Sequence, residues 1–319
     1  VLISVLLQKG QDFALAPREW FTLHGISSAG NQFPKIFQTR KYPNKSQRAS
    51  MKERWTPPAG ALGRLCHLAR QRVEALRPRL GELKRQALAR PARPRLEEAL
   101  HGETVAVIAE FKRRSPSQGA LNLAMDPVAR AAAYVRGGAK AISVLTEPTE
   151  FSGTTADLAQ VAAEIAVPIL KKDFHLDPIQ VWEAGSAGAS ALLLIARALG
   201  PDGLRRMADA AGEAGLEVVA EVRDEWELEW AVEAGARVVG VNRRNLETLA
   251  MEDEVPARIL PLVPRELVAV SESGVESRHE VEEAATLGAD AVLVGSALSL
   301  AGDVEVAVRA LTGVPKKGR

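Results

Sequence analysis

The chain has 319 residues, enough for one large domain or two modest ones. With 46% apolar and 25% charged residues it is neither a disordered chain, a collagen nor a coiled-coil rod, and no apolar run approaches the ~18 residues a membrane span needs. The net charge of +1 hides an asymmetry: residues 1–100 carry 19 Lys and Arg against 7 Asp and Glu, and the remainder carries 22 against 33. No basic patch interleaves aromatics, so a basic helical segment docking on an acidic domain is expected rather than a nucleic-acid arm. Cys66 is the only cysteine, and His24, His67, His101, His175 and His279 never stand at ligand spacing. Both facts argue against a metal enzyme or a histidine triad, so no metal is expected, and a cytoplasmic, cofactor-poor protein is the default.

Residues 1–50 show no sustained helical or strand period and are interrupted by Gly10, Pro17, Gly25, Gly30, Pro34 and Pro43. They are basic and acid-poor, which is compatible with a targeting peptide, but not convincingly amphipathic. Met51 is the first methionine, so the domain is expected to start there, with 1–50 a poorly ordered extension.

From Leu62 to Leu83 the apolar positions fall at mixed three- and four-residue spacing, which predicts one amphipathic helix. Pro91 and Pro94 break the chain, and Leu96–Leu100 is a short helix. Eight apolar runs follow: Val105–Phe111, Ala141–Leu145, Val167–Leu170, Ala191–Ile195, Leu216–Val222, Val238–Val241, Leu267–Val270 and Ala291–Val294. Between them lie helical stretches such as Pro127–Gly137, Ala156–Ile165, Pro178–Ala187, Gly203–Ala214, Glu225–Ala234 and Arg278–Leu287. Gly188, Gly215, Gly235 and Gly288 stand where a helix would end in a left-handed cap. Apolar strands alternating with amphipathic helices predict a parallel sheet covered by helices, and eight such units predict a (β/α)8 TIM barrel with helices 60–100 as an N-terminal extension over its mouth. A doubly wound sheet would carry a GxGxxG turn after its first strand, and a leucine-rich solenoid an LxxLxLxxN repeat; both are absent.

Barrel chemistry sits at the C-terminal ends of the strands, where alternate residues point inward. Glu110 and Lys112 share the parity of Ile108, and Lys172 that of Phe174. Glu221 interrupts an apolar strand, and Asn242 and Arg244 end the sixth run. Two acids and three bases on one rim are costly unless paired, which points to a catalytic site. Lys172 among cations and apolar walls is a candidate proton donor with a lowered pKa, and Glu221 a candidate acceptor with a raised one. Ser273–Gly274 and Gly295–Ser296 sit in the last two loops, where barrels frequently hold phosphate; Phe151 and Phe174 offer a wall for an aromatic ring.

These residues resemble a known family. Ala109-Glu110-Phe111-Lys112-Arg113-Arg114-Ser115-Pro116-Ser117 is similar to the AExKxxSPS stretch of indole-3-glycerol-phosphate synthases. Ser143-Val144-Leu145-Thr146-Glu147 with Phe151 and Gly153, Leu170-Lys171-Lys172-Asp173-Phe174, Glu221-Val222, Gly240-Val241-Asn242-Arg243-Arg244-Asn245-Leu246, Glu272-Ser273-Gly274-Val275 and Val294-Gly295-Ser296 follow in the family's order, over residues 60–311. Asn245 stands where the family usually has Asp.

The resemblance implies decarboxylating and dehydrating ring closure of 1-(o-carboxyphenylamino)-1-deoxyribulose 5-phosphate in tryptophan biosynthesis. It implies Lys172 as acid, Glu221 as base, Lys112 and Glu110 assisting dehydration, and Asn242 orienting substrate hydroxyls. Arg244 would balance Glu221 and the anionic substrate. Ser115, Ser273, Gly274, Gly295 and Ser296 would line the phosphate end, and Phe151, Phe174 and Leu246 the ring end, with Ser143 and Glu272 as further substrate contacts. It implies no metal or organic cofactor, no nucleic-acid or membrane partner, and a monomer or weak homo-oligomer.

Three rivals are weaker on the residues. A sugar-phosphate isomerase barrel such as phosphoribosylanthranilate isomerase works through a Cys/Asp pair, and Cys66 lies outside the strands. A non-catalytic anion-binding barrel has no need of both Lys172 and Glu221. A nucleic-acid binder would use the basic first 100 residues and show strong salt dependence.

Overall fold

The computed structural model describes residues 55–116, 119–121 and 125–318. The extension expected over residues 1–50, and the expected start at Met51, lie outside the described residues. Eight parallel strands close into a barrel: β1 (Ala106–Phe111), β2 (Ala141–Leu145), β3 (Ile169–Lys172), β4 (Ala191–Ile195), β5 (Glu217–Val222), β6 (Val238–Asn242), β7 (Val268–Glu272) and β8 (Ala291–Val294). Each pairs with its sequence neighbours, and β8 pairs with β1 through Ala106↔Ala291 to Ala109↔Val294. The TIM barrel expected from the eight apolar runs is present.

Strand alternation divides the apolar residues into two cores. Ala106, Ile108, Leu170, Leu193, Val219 and Val270 point into the barrel, whereas Val107, Ala109, Ile142, Leu192, Leu194 and Val239 pack outward against the helices. Both sets are nearly fully buried, which is why the runs read as continuously apolar. Side-chain caps at Asp126, Thr154, Asp177, Asp224 and Ser277 open the covering helices. The expected cap glycines Gly188, Gly215, Gly235 and Gly288 all have positive φ, between 70° and 92°.

The segment before the barrel departs from the single helix expected over Leu62–Leu83. It is α1 (Gly60–Leu76), a 3-10 turn (Arg77–Arg79) and α2 (Leu80–Ala89). Pro78 has no backbone N–H and cannot continue the helical ladder, so the helix changes course there. Leu62, Leu65, Cys66 and Ala69 of α1 join the barrel-interior cluster, which places this helix over the barrel mouth. The short helix α3 (Leu96–Leu100) lies at the opposite end. Leu96 and Leu100 pack among Ala106, Ala141, Val238 and Val268, the first residues of their strands or close to them, and Glu217 at the start of β5 accepts the Glu97 N–H at 3.2 Å. The N-terminal helices therefore close both ends of the barrel, not the mouth alone.

Candidate active site

A cavity of about 230 Å³ opens at the C-terminal ends of the strands. Its floor is a charge cluster. Glu110 and Lys112, on the same side of β1 and its extension, pair at 3.0 Å. The Lys172 ammonium at the end of β3 faces three carboxylates: Glu272 at 3.6 Å, Glu221 at 3.9 Å and Glu110 at 4.0 Å. All three acids are buried. Strand parity carries Glu110, Lys112 and Lys172 to one rim, Glu221 interrupts an apolar strand, and the structure joins all four.

The Lys172 pKa shifts opposite to the expected direction. Burial alone would lower it, but the carboxylates of Glu272, Glu110 and Glu221 outweigh burial and raise it well above the ordinary lysine value. Burial tends to raise the Glu110 carboxyl, yet the ammoniums of Lys112 and Lys172 hold it below the usual range. Glu272 moves upward: burial favours its neutral form, and the charges of Glu221 and Glu110 oppose its ionisation despite Lys172.

Two glycines make room for this cluster. A Cβ at Gly240 would overlap Glu272 Oε1, and one at Gly295 would overlap Glu110 Oε1 and stand 3.1 Å from Lys112 Nζ. Neither position tolerates a side chain without moving a charged group. This is the local reason that glycine stands in β6 at Gly240 and directly after β8 at Gly295.

Asn242 closes one side of the floor. Its Oδ1 accepts from the Arg244 backbone N–H at 2.9 Å and from Ser273 Oγ at 2.8 Å, so the NH2 group is the end available to a ligand. Lys112 Nζ donates to Ser296 Oγ at 3.3 Å, linking the charge cluster to the loop after β8. Ser115, Ser273, Gly274, Gly295 and Ser296 line that side together. Ser273 has φ 68°, a left-handed conformation rare outside glycine and concentrated at functional sites. The opposite wall is apolar: Phe151 and Phe174, ring centroids 6.4 Å apart and tilted by 36°, with Leu246.

Two expected contacts differ. Ser143 does not line the cavity; it points inward from the middle of β2, fully buried, two residues below Leu145, which does. A residue of correct parity but one step too low is covered by the rim above it. Arg244 is not paired with Glu221. Its guanidinium donates to the Leu249 carbonyl at 2.9 Å, while Lys172 is the cation beside Glu221. Arg244 does line the cavity, and among the described residues no carboxylate pairs with it.

Several wall residues had not been expected. Leu65 enters from α1, and Leu249 and Met251 from the loop after β6, where Arg244 and Met251 form an antiparallel bridge. Asp173 also faces the cavity, between Lys172 and Phe174. Only Asp173 had a signal in the sequence, a carboxylate between two site residues; the others depend on contacts distant in the chain.

The family profile described as indole-3-glycerol phosphate synthase matches residues 62–311. The chain is similar to indole-3-glycerol phosphate synthase of a Nocardioides species, 53% identical over 208 residues that cover 65% of this chain and 80% of that one. It is 47% identical to indole-3-glycerol phosphate synthase 1 of Streptomyces coelicolor over 230 residues, 72% of this chain and 85% of the relative. Among solved structures it is similar to 3-hexulose-6-phosphate synthase of Salmonella typhimurium, with a TM-score of 0.51 and 18% identity over 65% of this chain and 96% of the other, a likeness of fold alone. The barrel, the ordered set of strand-end residues and these matches agree: the chain belongs to the indole-3-glycerol phosphate synthase family of decarboxylating lyases in tryptophan biosynthesis.

Proposed function

We propose that this cavity performs the family's ring closure on 1-(o-carboxyphenylamino)-1-deoxyribulose 5-phosphate with the residues named above. The observation that carries the reading is the Lys172 ammonium held among Glu272, Glu221 and Glu110 at the cavity floor.

The ring carbon bearing the carboxylate attacks the substrate ketone, and a C–C bond forms as the carbonyl π pair moves to oxygen. Lys172 is the acid for that oxygen. Its raised pKa keeps it charged before reaction, so it withholds its proton from the neutral ketone and gives it up as alkoxide character develops. The C–CO2 bond then breaks, its electron pair restores the aromatic ring, and CO2 leaves. In the last step the new hydroxyl takes a proton and departs as water, while the carbon next to nitrogen loses a proton to a base. Glu221 is that base, and the Glu110–Lys112 pair assists the departure.

The phosphate lies against Ser115, Ser273, Gly274, Gly295 and Ser296, and the aromatic ring between Phe151, Phe174 and Leu246. Arg244 meets the substrate's negative charge, a reading supported by its place in the cavity lining and by its side-chain bond going to the Leu249 carbonyl rather than to a carboxylate. Asn242 orients the hydroxyls through its NH2 group. Glu272, which lines the cavity floor beside Lys172, is a further substrate contact. Residues 51–319 are the catalytic unit in this reading, acting in the cytoplasm as a monomer or weak homo-oligomer. The test is turnover by the chain and by a version beginning at Met51: comparable activity supports that unit, and loss of activity in the shorter chain refutes it.

A further inference from the structure

Asp173 has no part in the chemistry proposed above, yet it is buried at the cavity wall between Lys172 and Phe174. Its carboxylate gathers three elements. It accepts from Arg72 of α1 at 2.7 Å and 3.4 Å, from Thr146 Oγ1 just past β2 at 2.7 Å, and from the backbone N–H of Phe174 at 2.8 Å. On α1, Leu65, Ala69 and Arg72 fall at i, i+4 and i+7 and share one helical face. Leu65 reaches the cavity from that face, and Phe174 reaches it from beyond β3. One carboxylate thus fixes both the backbone of Phe174 and the helix that carries Leu65.

We propose that Arg72 and Asp173 are a positioning pair that sets the separation of Leu65 and Phe174, and so the fit of the substrate's aromatic ring. The inference rests on the reading of that apolar wall as the ring end. Arg72 is 27% exposed and Asp173 4%, so the pair is partly shielded from solvent and its geometry is bidentate, the form in which an Arg–carboxylate contact holds an orientation. α1 is also held at its start, where the Ala59 N–H donates to Glu247 Oε1 at 2.7 Å and the Ala61 N–H to the Glu247 carbonyl at 2.9 Å. Loss of Arg72 therefore loosens the C-terminal half of the helix without releasing its start.

The test compares Arg72→Ala and Arg72→Lys with the unaltered chain in substrate turnover and in inhibition by inorganic phosphate. Arg72→Ala is expected to raise KM about tenfold, with kcat changed less than about threefold and phosphate inhibition unchanged. Arg72→Lys, which can keep one bond to Asp173, is expected to recover most of the loss. An unchanged KM in Arg72→Ala overturns the pairing, as does a joint loss of KM, kcat and phosphate inhibition that lysine does not rescue. If the unaltered chain itself shows no turnover, the reaction assignment and this inference fall together.

Discussion

The ammonium of Lys172 stands 3.6 Å from Glu272, a buried carboxyl that shares the cavity floor with Glu221 and Glu110. A carboxyl so placed resists ionisation, and a lysine so surrounded keeps its proton. Removing one acid therefore weakens the hold on that proton. Glu110→Gln is expected to move the alkaline limb of the kcat/KM profile toward neutral pH relative to the unaltered chain, because Lys172 loses one of the charges that raise its pKa. A limb that stays in place shows that another group controls it; the pH–rate profiles of the two proteins decide.

Gly295 and Gly240 test the crowding of the floor. Gly295→Ala places a Cβ on Glu110 Oε1, and Gly240→Ala on Glu272 Oε1. Each is expected to cost about 100-fold in kcat/KM through displaced charges while the barrel still folds. Steady-state kinetics beside circular dichroism separates displacement from unfolding.

Arg244 reports on substrate charge. It lines the cavity and donates to the Leu249 carbonyl without a carboxylate partner among the described residues. Arg244→Ala is expected to raise KM more than tenfold, by loss of a charge-assisted contact to an anionic ligand. An unchanged KM assigns the substrate's charge to other groups.

Asp173 carries an acid-stability signature. Burial would raise its pKa, but Lys171 and Arg72 lead the groups that bring it down to about 2 from 3.8. A carboxyl depressed in the folded state adds stability above its unfolded pKa and loses it as pH falls through the folded value. That contribution is about 2 kcal/mol, present above pH ~4 and lost toward pH ~2. Asp173→Asn is expected to unfold more easily at neutral pH and to lose less stability on acidification. Urea unfolding at pH 7 and pH 3 measures both.

Much of this architecture was legible because barrel strands buried on both faces read as apolar runs, and a charge inside such a run, as at Glu221, has to be explained. Strand parity then carried Glu110, Lys112 and Lys172 to one rim. A motif match does not fix height: the resemblance implies Ser143 as a substrate contact, and the barrel buries it beneath the rim. Nor does it identify the nearest counter-ion: the resemblance pairs Arg244 with Glu221, and the folded chain puts Lys172 there. The break at Pro78 was readable from proline chemistry but hidden by apolar spacing that continued across it. Leu65, Leu249 and Met251 reach the cavity only through packing of α1 and a turned loop, which no local pattern records.

The roles of Lys172 and Glu221 are measured by formation of the indole chromophore from 1-(o-carboxyphenylamino)-1-deoxyribulose 5-phosphate by the purified chain, beside Lys172→Ala and Glu221→Gln. Turnover by the unaltered chain and a loss of roughly a thousandfold or more in both variants are expected, with inorganic phosphate still bound. Near-normal turnover by Lys172→Ala would contradict the role of Lys172 as the acid.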